Sequence, residues 1–230
     1  REMAERLHQL LVDSAAKLSL GTFHAQGARI LRQDGGHIGI EPRFVIYDDD
    51  DSQNLIKASL QDLALDPKRY SPRAVQSAIS SAKSRLLEPQ DCARQQASYF
   101  DEVVYRVYER YQQMLAQNQA LDFDDLLMKV VQLFRQHPDV LARYQSRYLH
   151  VLVDEFQDTN VAQYMIAKQL AGEHRNICVV GDPDQSIYSW RSADLRNILS
   201  FERDYPDAKV VYLEQNYRST KLILEVAHNV

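Results

Sequence analysis

Asp154 and Glu155 stand side by side at the end of a short apolar run, Leu149-His150-Val151-Leu152-Val153. The length of the run and its Val and Leu content suit a buried strand. In open α/β sheets, ligands sit at the carboxyl ends of parallel strands. Adjacent strand-end residues point in different directions, so the two carboxylates can take different tasks. One can hold hydrated Mg²⁺, which prefers carboxylate oxygen. The other can accept a proton from an attacking water. Together they have the chemistry of nucleotide hydrolysis. Taken alone, an apolar run before Asp-Glu is more simply a helix start whose carboxylates complement the helix dipole. Two further blocks downstream favour the first reading.

The first of these follows a second apolar run at residues 177–181. It reads Asp182-Pro183-Asp184-Gln185-Ser186-Ile187-Tyr188-Ser189-Trp190-Arg191. Gln185 can hydrogen-bond a phosphate oxygen or an attacking water. Tyr188 and Trp190 offer flat faces and Arg191 a cation, the composition of a platform for single-stranded nucleic acid. The plainer alternative is a loop whose Trp packs inward. A third apolar run, residues 209–213, delivers Glu214-Gln215-Asn216-Tyr217-Arg218-Ser219-Thr220. Arg218 at a strand end could stabilise charge on a transferring phosphoryl group. By itself it would be a surface ion-pair residue.

The elements that must position these groups are legible in part. Residues 2–12 have a helical apolar face. Residues 18–23 read as a short strand that brings Thr22-Phe23-His24 to its carboxyl end, with a helix from about 25 to 31. Gly27 inside that helix costs about 1 kcal/mol relative to Ala. His24 could touch a phosphate, although a lone His is more often structural. After Gly35-Gly36-His37, the run at 44–47 meets Asp48-Asp49-Asp50-Asp51. Those carboxylates read as the start of a helix over about 52–63 rather than as a metal site. Ser71-Pro72 opens a helix to about 87, and a long helix is predicted from about 91 to 117. A helix opens at Leu121-Asp122-Phe123-Asp124-Asp125-Leu126-Leu127. Thr159-Asn160 caps the helix after the paired carboxylates. Residues 37–116 thus form an all-helical block between two α/β pieces.

The 230 residues suffice for one or two domains with a full core, and 45% hydrophobic with 26% charged residues is an ordinary globular composition. A net charge of −5 gives no global nucleic-acid signal, so any such surface must be local. The two cysteines, Cys92 and Cys178, fit neither a disulfide scaffold nor zinc spacing, and Cys178 reads as a buried small hydrophobe. No apolar segment approaches the ~18 residues of a membrane span. A soluble, reducing, cytoplasmic setting fits these features.

The blocks occur in one order: Thr22-Phe23-His24, the Leu121–Leu127 run, Val153-Asp154-Glu155-Phe156-Gln157-Asp158, Gly181-Asp182-Pro183-Asp184-Gln185 with Trp190-Arg191, and Gln215-Asn216-Tyr217-Arg218. In that order they closely resemble the UvrD/PcrA/Rep group of superfamily 1 DNA helicases. The resemblance covers essentially the whole chain, and the last three blocks are specific as a set. It implies a RecA-like P-loop NTPase fold, in which residues 1–36 and 117–230 form a partial ATPase domain and 37–116 an inserted helical subdomain. It further implies ATP and Mg²⁺ as cofactors and 3′-to-5′ translocation along single-stranded DNA at duplex junctions. Asp154 would hold Mg²⁺ and Glu155 activate water. Gln185 would sense the γ-phosphate, Arg218 contact it, and Tyr217 flank the adenine. Trp190 would stack on a base with Tyr188 and Arg191 beside it, while Thr22 and His24 touch the DNA backbone.

Several positions depart from the family pattern. Phe156 replaces a usual Tyr, Ser189 and Ser192 replace frequent glycines, and Ala25-Gln26-Gly27 is atypical. The phosphate-cradling G-x-x-x-x-G-K-[ST] loop is missing, since none of the seven glycines precedes a Lys. The resemblance therefore implies a piece of a longer chain, with the remainder needed at both ends. The rival from another class is a non-catalytic nucleic-acid-binding module. A third possibility, a helicase–nuclease subunit, would require a nuclease domain.

Overall fold

The computed structural model describes Glu5, Gln9 and residues 18–94, 98–185, 196–217 and 219–228. The helix expected over 2–12 lies outside them apart from Glu5 and Gln9. Two compact units are present, Arg1–Asn197 and Ile198–Val230.

In the first unit, helix α1 spans Phe23–Asp34 and a 3₁₀ turn follows at Gly35–Ile38. Residues 18–20 form no strand. Thr22 is instead the N-cap of α1, its side chain accepting the Ala25 N–H. The hydroxyl ends the extended segment before any ladder can form, so the helix starts earlier than its apolar periodicity suggests. Strand β1, Val45–Tyr47, leads into α2, Asp49–Asp62. Asp48 caps α2 in a capping box with Asp51, so the acidic run lies at the helix start as expected, but the helix begins at Asp49 rather than about residue 52. Helix α3 follows at Pro72–Ser84, with α4 at Pro89–Arg94 and α5 at Tyr99–Gln117. The single long helix predicted from 91 is therefore two. Ser98 begins α5 afresh in a capping box with Asp101. Such a cap contributes about 1 kcal/mol, enough to set a boundary that a continuous apolar stripe hides.

Strand β2, Ala120–Asp122, pairs parallel with β1 in the register Val45↔Ala120. The sequence pattern places the first turn of a helix here, but Asp122 caps α6, Phe123–Gln136, through a capping box with Asp125. Helix α7, Pro138–Arg147, leads to β3, Val151–Val153. A 3₁₀ turn at Phe156–Asp158 precedes α8, Val161–Leu170. Asn160 caps α8 as anticipated. Strand β4, Ile177–Val179, pairs parallel with β3, Val153 opposite Val179.

Two apolar cores organise this unit. One gathers α1, α6, α7 and α8 around Leu31, Leu127, Leu133 and Phe134. The other gathers α2, α3 and α5 around Leu60, Val75, Val107 and Tyr108. Helix α6 is the spine, with Leu126, Leu127, Met128, Val130, Val131, Leu133 and Phe134 all buried. Gly27 explains itself here, because a Cβ at that position would lie 2.5 Å from the Leu126 carbonyl oxygen. The absent side chain lets the α1 and α6 backbones touch, which offsets glycine's poor helix propensity.

The β3–β4 pair corrects the expectation of buried strands. Helix α8 packs on β3 and Val153 is buried, but Leu152 is 77% exposed and its register partner Cys178 is exposed too. Alternate residues point to opposite faces, and only one face of this pair is covered. Cys178 is therefore not the buried hydrophobe its apolar neighbours suggested.

The second unit holds most of α9, Arg196–Asp204, and α10, Lys221–His228. Phe201 and Tyr205 pack ring to ring at 4.8 Å. The strand expected at 209–213 does not form, and Tyr212 and Leu213 are more than four-fifths exposed. Apolar character alone makes no strand; the ladder needs a partner, and no strand pairs with this run among the described residues.

Candidate active site

The carboxyl ends of β3 and β4 are tied together by main-chain bonds. Val180 N–H donates to Val153 O at 2.8 Å, and Phe156 N–H donates to Val180 O at 2.9 Å. Asp154 and Glu155 emerge from β3 at that end and are both exposed. Glu155 has φ +50° and ψ +44°, a left-handed conformation uncommon for a side chain of its size. Such a backbone costs roughly 1–3 kcal/mol and turns the chain sharply between strand and 3₁₀ helix. Consequently Glu155 and Asp154 leave the strand in different directions. Asp154 Oδ1 accepts the Glu155 N–H at 3.0 Å.

Gln157, 2% exposed, sits beneath this corner. Its Nε2 donates to Glu155 Oε2 at 2.7 Å, and its Oε1 accepts the Asp182 N–H at 3.1 Å. Asp182 in turn accepts from Gln185: its Oδ2 lies 2.7 Å from Gln185 Nε2. Its Oδ1 accepts the Asp184 N–H at 3.0 Å. Sequence reasoning singled out Asp154, Glu155 and Gln185, and the structure brings all three to one end of the β3–β4 pair. It missed Gln157. Gln157 stands in a wholly polar run, Gln157-Asp158-Thr159-Asn160, so nothing in its type or spacing marks it as the buried one.

Asp154 suits a hydrated Mg²⁺. One oxygen is engaged by a backbone N–H and the carboxylate is otherwise open to solvent. Mg²⁺ keeps several waters and needs only one or two carboxylates together with substrate phosphates. Among the described residues, no group of three or more His, Cys, Asp or Glu side chains converges as a metal cage.

Thr22 and His24 lie at the start of α1. Thr22 Oγ1 is occupied as an acceptor by its capping bond, leaving the hydroxyl hydrogen to donate elsewhere. Burial lowers the His24 pKa below its ordinary value, which favours the neutral ring. The His24 ring meets the Phe123 ring edge to face at 5.8 Å. Phe123 is 48% exposed, an aromatic face that the sequence reading had absorbed into a helix block. In the second unit, Tyr217 is exposed. Tyr188, Trp190, Arg191 and Arg218 lie outside the described residues.

A parallel strand pair thus ends in Asp-Glu on one strand and a Gly-Asp-Pro-Asp-Gln turn on the other. The chain belongs to the UvrD/REP helicase N-terminal domain family, whose model matches residues 1–206. It is 51% identical over all 230 residues to "ATP-dependent DNA helicase PcrA" of Bacillus subtilis and covers 31% of that protein. It is 49% identical, again over its whole length, to the Staphylococcus aureus protein of the same name, covering 32%. The chain thus spans about a third of the length of these relatives.

Proposed function

We propose that this chain is the portion of an ATP-dependent 3′-to-5′ DNA helicase that supplies the metal-binding and general-base half of the ATP site and part of a single-strand track. The observation that carries the reading is the convergence of Asp154, Glu155 and Gln185 on one strand end. The names of the relatives support ATP and DNA as the ligands. The two separate cores support a RecA-like part holding α1 and α6–α8 and an inserted subdomain holding α2, α3 and α5; β1 is a strand and Phe44 packs in the first core, so the 37–116 block is not helical throughout.

In this reading Asp154 would hold Mg²⁺, which would supply positive charge to offset that of the phosphates. Glu155 is open to solvent and takes the proton of the attacking water. Gln185 hydrogen-bonds a γ-phosphate oxygen, and Arg218 stabilises charge developing there. Tyr217 flanks the adenine. Thr22 and His24 touch the DNA backbone. The exposed Phe123 face beside His24, together with Tyr188, Trp190 and Arg191, offers stacking surface and cationic charge for unpaired bases. The remaining chain supplies the phosphate cradle and the opposite wall of the site, and duplex junctions are the substrate.

The test is Glu155→Gln in the longer helicase chain. It should leave nucleotide binding largely intact and lower kcat by roughly 10²–10⁴-fold. Hydrolysis at near the parent rate removes Glu155 from the role of base.

A further inference from the structure

A continuous hydrogen-bonded path runs from Glu155 to Gln185. Gln157 Nε2 donates to Glu155, Asp182 N–H donates to Gln157 Oε1, and Gln185 Nε2 donates to Asp182 Oδ2. Three of its four residues are exposed or half-buried; Gln157 is the buried centre. A buried amide must satisfy both its ends, and here the two ends reach different strands.

We propose that Gln157 is a positioning residue that holds the Glu155 carboxylate in register with the Asp182–Gln185 turn, so that proton acceptance and γ-phosphate sensing are aligned as one unit. This rests on the roles given above to Glu155 and Gln185.

The physical case has three parts. First, Glu155 sits on a left-handed backbone and its carboxylate is exposed. Without a tether, such a side chain samples several rotamers, and most aim it away from any single water position. The Gln157 amide is a neutral donor at 2.7 Å, so it orients the carboxylate and leaves the second oxygen for proton acceptance. Second, the opposite end of the same amide holds a main-chain N–H rather than a side chain. Movement of the Asp182–Gln185 turn therefore pulls directly on the residue that aims Glu155. Third, the approach at Gly181 is close enough that any side chain there would displace the Gln157 amide. A Cβ there would lie 2.8 Å from Gln157 Oε1, 3.2 Å from Gln157 N and 3.4 Å from Phe156 Cβ. The small residue before Asp182 and the buried amide of Gln157 are parts of one fitted contact.

Gln185 has a consequence of its own here. Its amide is held by Asp182, so engaging a phosphate oxygen means loosening or redirecting that 2.7 Å bond. The loss is transmitted through Asp182 to Gln157. Phosphate arrival and the aim of Glu155 are thereby linked without contact between Gln185 and Glu155.

The experiment is a cycle of variants in the longer helicase chain, read by DNA-stimulated ATP hydrolysis. Gln157→Leu keeps the side chain's bulk and removes both bonds. Gly181→Ala keeps the amide and pushes it off its partners. Each should lower kcat by roughly 10–10²-fold, the cost of slight misplacement of a reacting group. The KM for ATP should change by less than about threefold, because aim rather than binding is lost. Combined with Glu155→Gln, each should cost no more than about a further twofold, because residues acting through one group are non-additive. If either variant fails to fold by circular dichroism, the other carries the same test.

Unchanged kcat in a folded variant overturns the proposal. So does a full additional loss in the Glu155→Gln background, which would mean Gln157 acts elsewhere. If Glu155→Gln alone hydrolyses ATP normally, the assigned role of Glu155 fails first, a result distinct from failure of the link.

Discussion

Lys83 Nζ lies 2.6 Å from Asp122 Oδ2 in the interior, fastening α3 to the residue that caps α6. Asp125 Oδ1 is 2.9 Å from the same ammonium, and the Tyr111 hydroxyl donates to Asp122. Burial alone would lower the Lys83 pKa, but the two carboxylates outweigh it and leave the pKa raised. Removing one partner of such a cluster strands the others without compensation. Lys83→Met should therefore destabilise the chain by roughly 3–5 kcal/mol, measured by urea unfolding. A loss below about 1 kcal/mol, typical of a surface pair, would show that the cluster does not support the fold.

Asp124 gives a pH signature. Burial first, then the neighbouring Asp122 charge, push its carboxyl up to about 7, against a hydrogen bond from Ser80. The folded chain therefore holds a proton that the unfolded chain has released. That contribution is fully present below the ordinary value of 3.8 and is lost as pH rises through about 7. Asp124→Asn cannot lose the proton. Its melting temperature should fall less than the parent's between those two values. Parallel curves would mean that Asp124 titrates at its ordinary pKa.

The 230-residue chain alone should not hydrolyse ATP appreciably. No Gly-rich loop with its Lys is present in the sequence to ligate the β- and γ-phosphates. The check is phosphate release from purified chain with and without single-stranded DNA; DNA-stimulated turnover would contradict the expectation.

Trp190 is the chain's one tryptophan, so its fluorescence reports on one stretch of sequence without labelling. Single-stranded oligonucleotide should quench or shift its emission, and added salt should weaken the effect through counterion release. Affinity should be poor, since one base stack contributes only about 1–3 kcal/mol. Trp190→Ala should weaken binding measured by anisotropy of labelled DNA. Binding that leaves both readouts unchanged would place the DNA path elsewhere and favour an inward-packed Trp190.

Helix starts were legible where a single residue dictates them. Asp48 and Asn160 cap as their types require, and the strand at 151–153 ends where the apolar run meets Asp154. The break at Ser98 was hidden because the residues before it, Pro89–Arg94, are helical too and Cys92 packs against the same core as α5. Strand β2 was hidden because three residues carry no periodicity; only its partner β1, far away in sequence, makes it a strand. The exposure of Leu152 and Cys178 was hidden for a related reason, since a run of Val and Leu does not reveal how many faces will be covered. At the candidate site, the carboxylates were legible from their pairing at a strand end. Gln157 was not, because its role depends on the strand that brings Asp182 beside it.

The contact of Gly27 with the Leu126 carbonyl has a mechanical consequence. Leu126 is one turn into α6 and Gly27 is just beyond the first turn of α1. The two helices are thus pinned backbone to backbone immediately behind His24 and Phe123, whose rings already touch. Main chain rather than side chain sets the spacing of the two helices at that point. A methyl group at residue 27 would have to push α1 away from α6, and so would part the two rings without altering either.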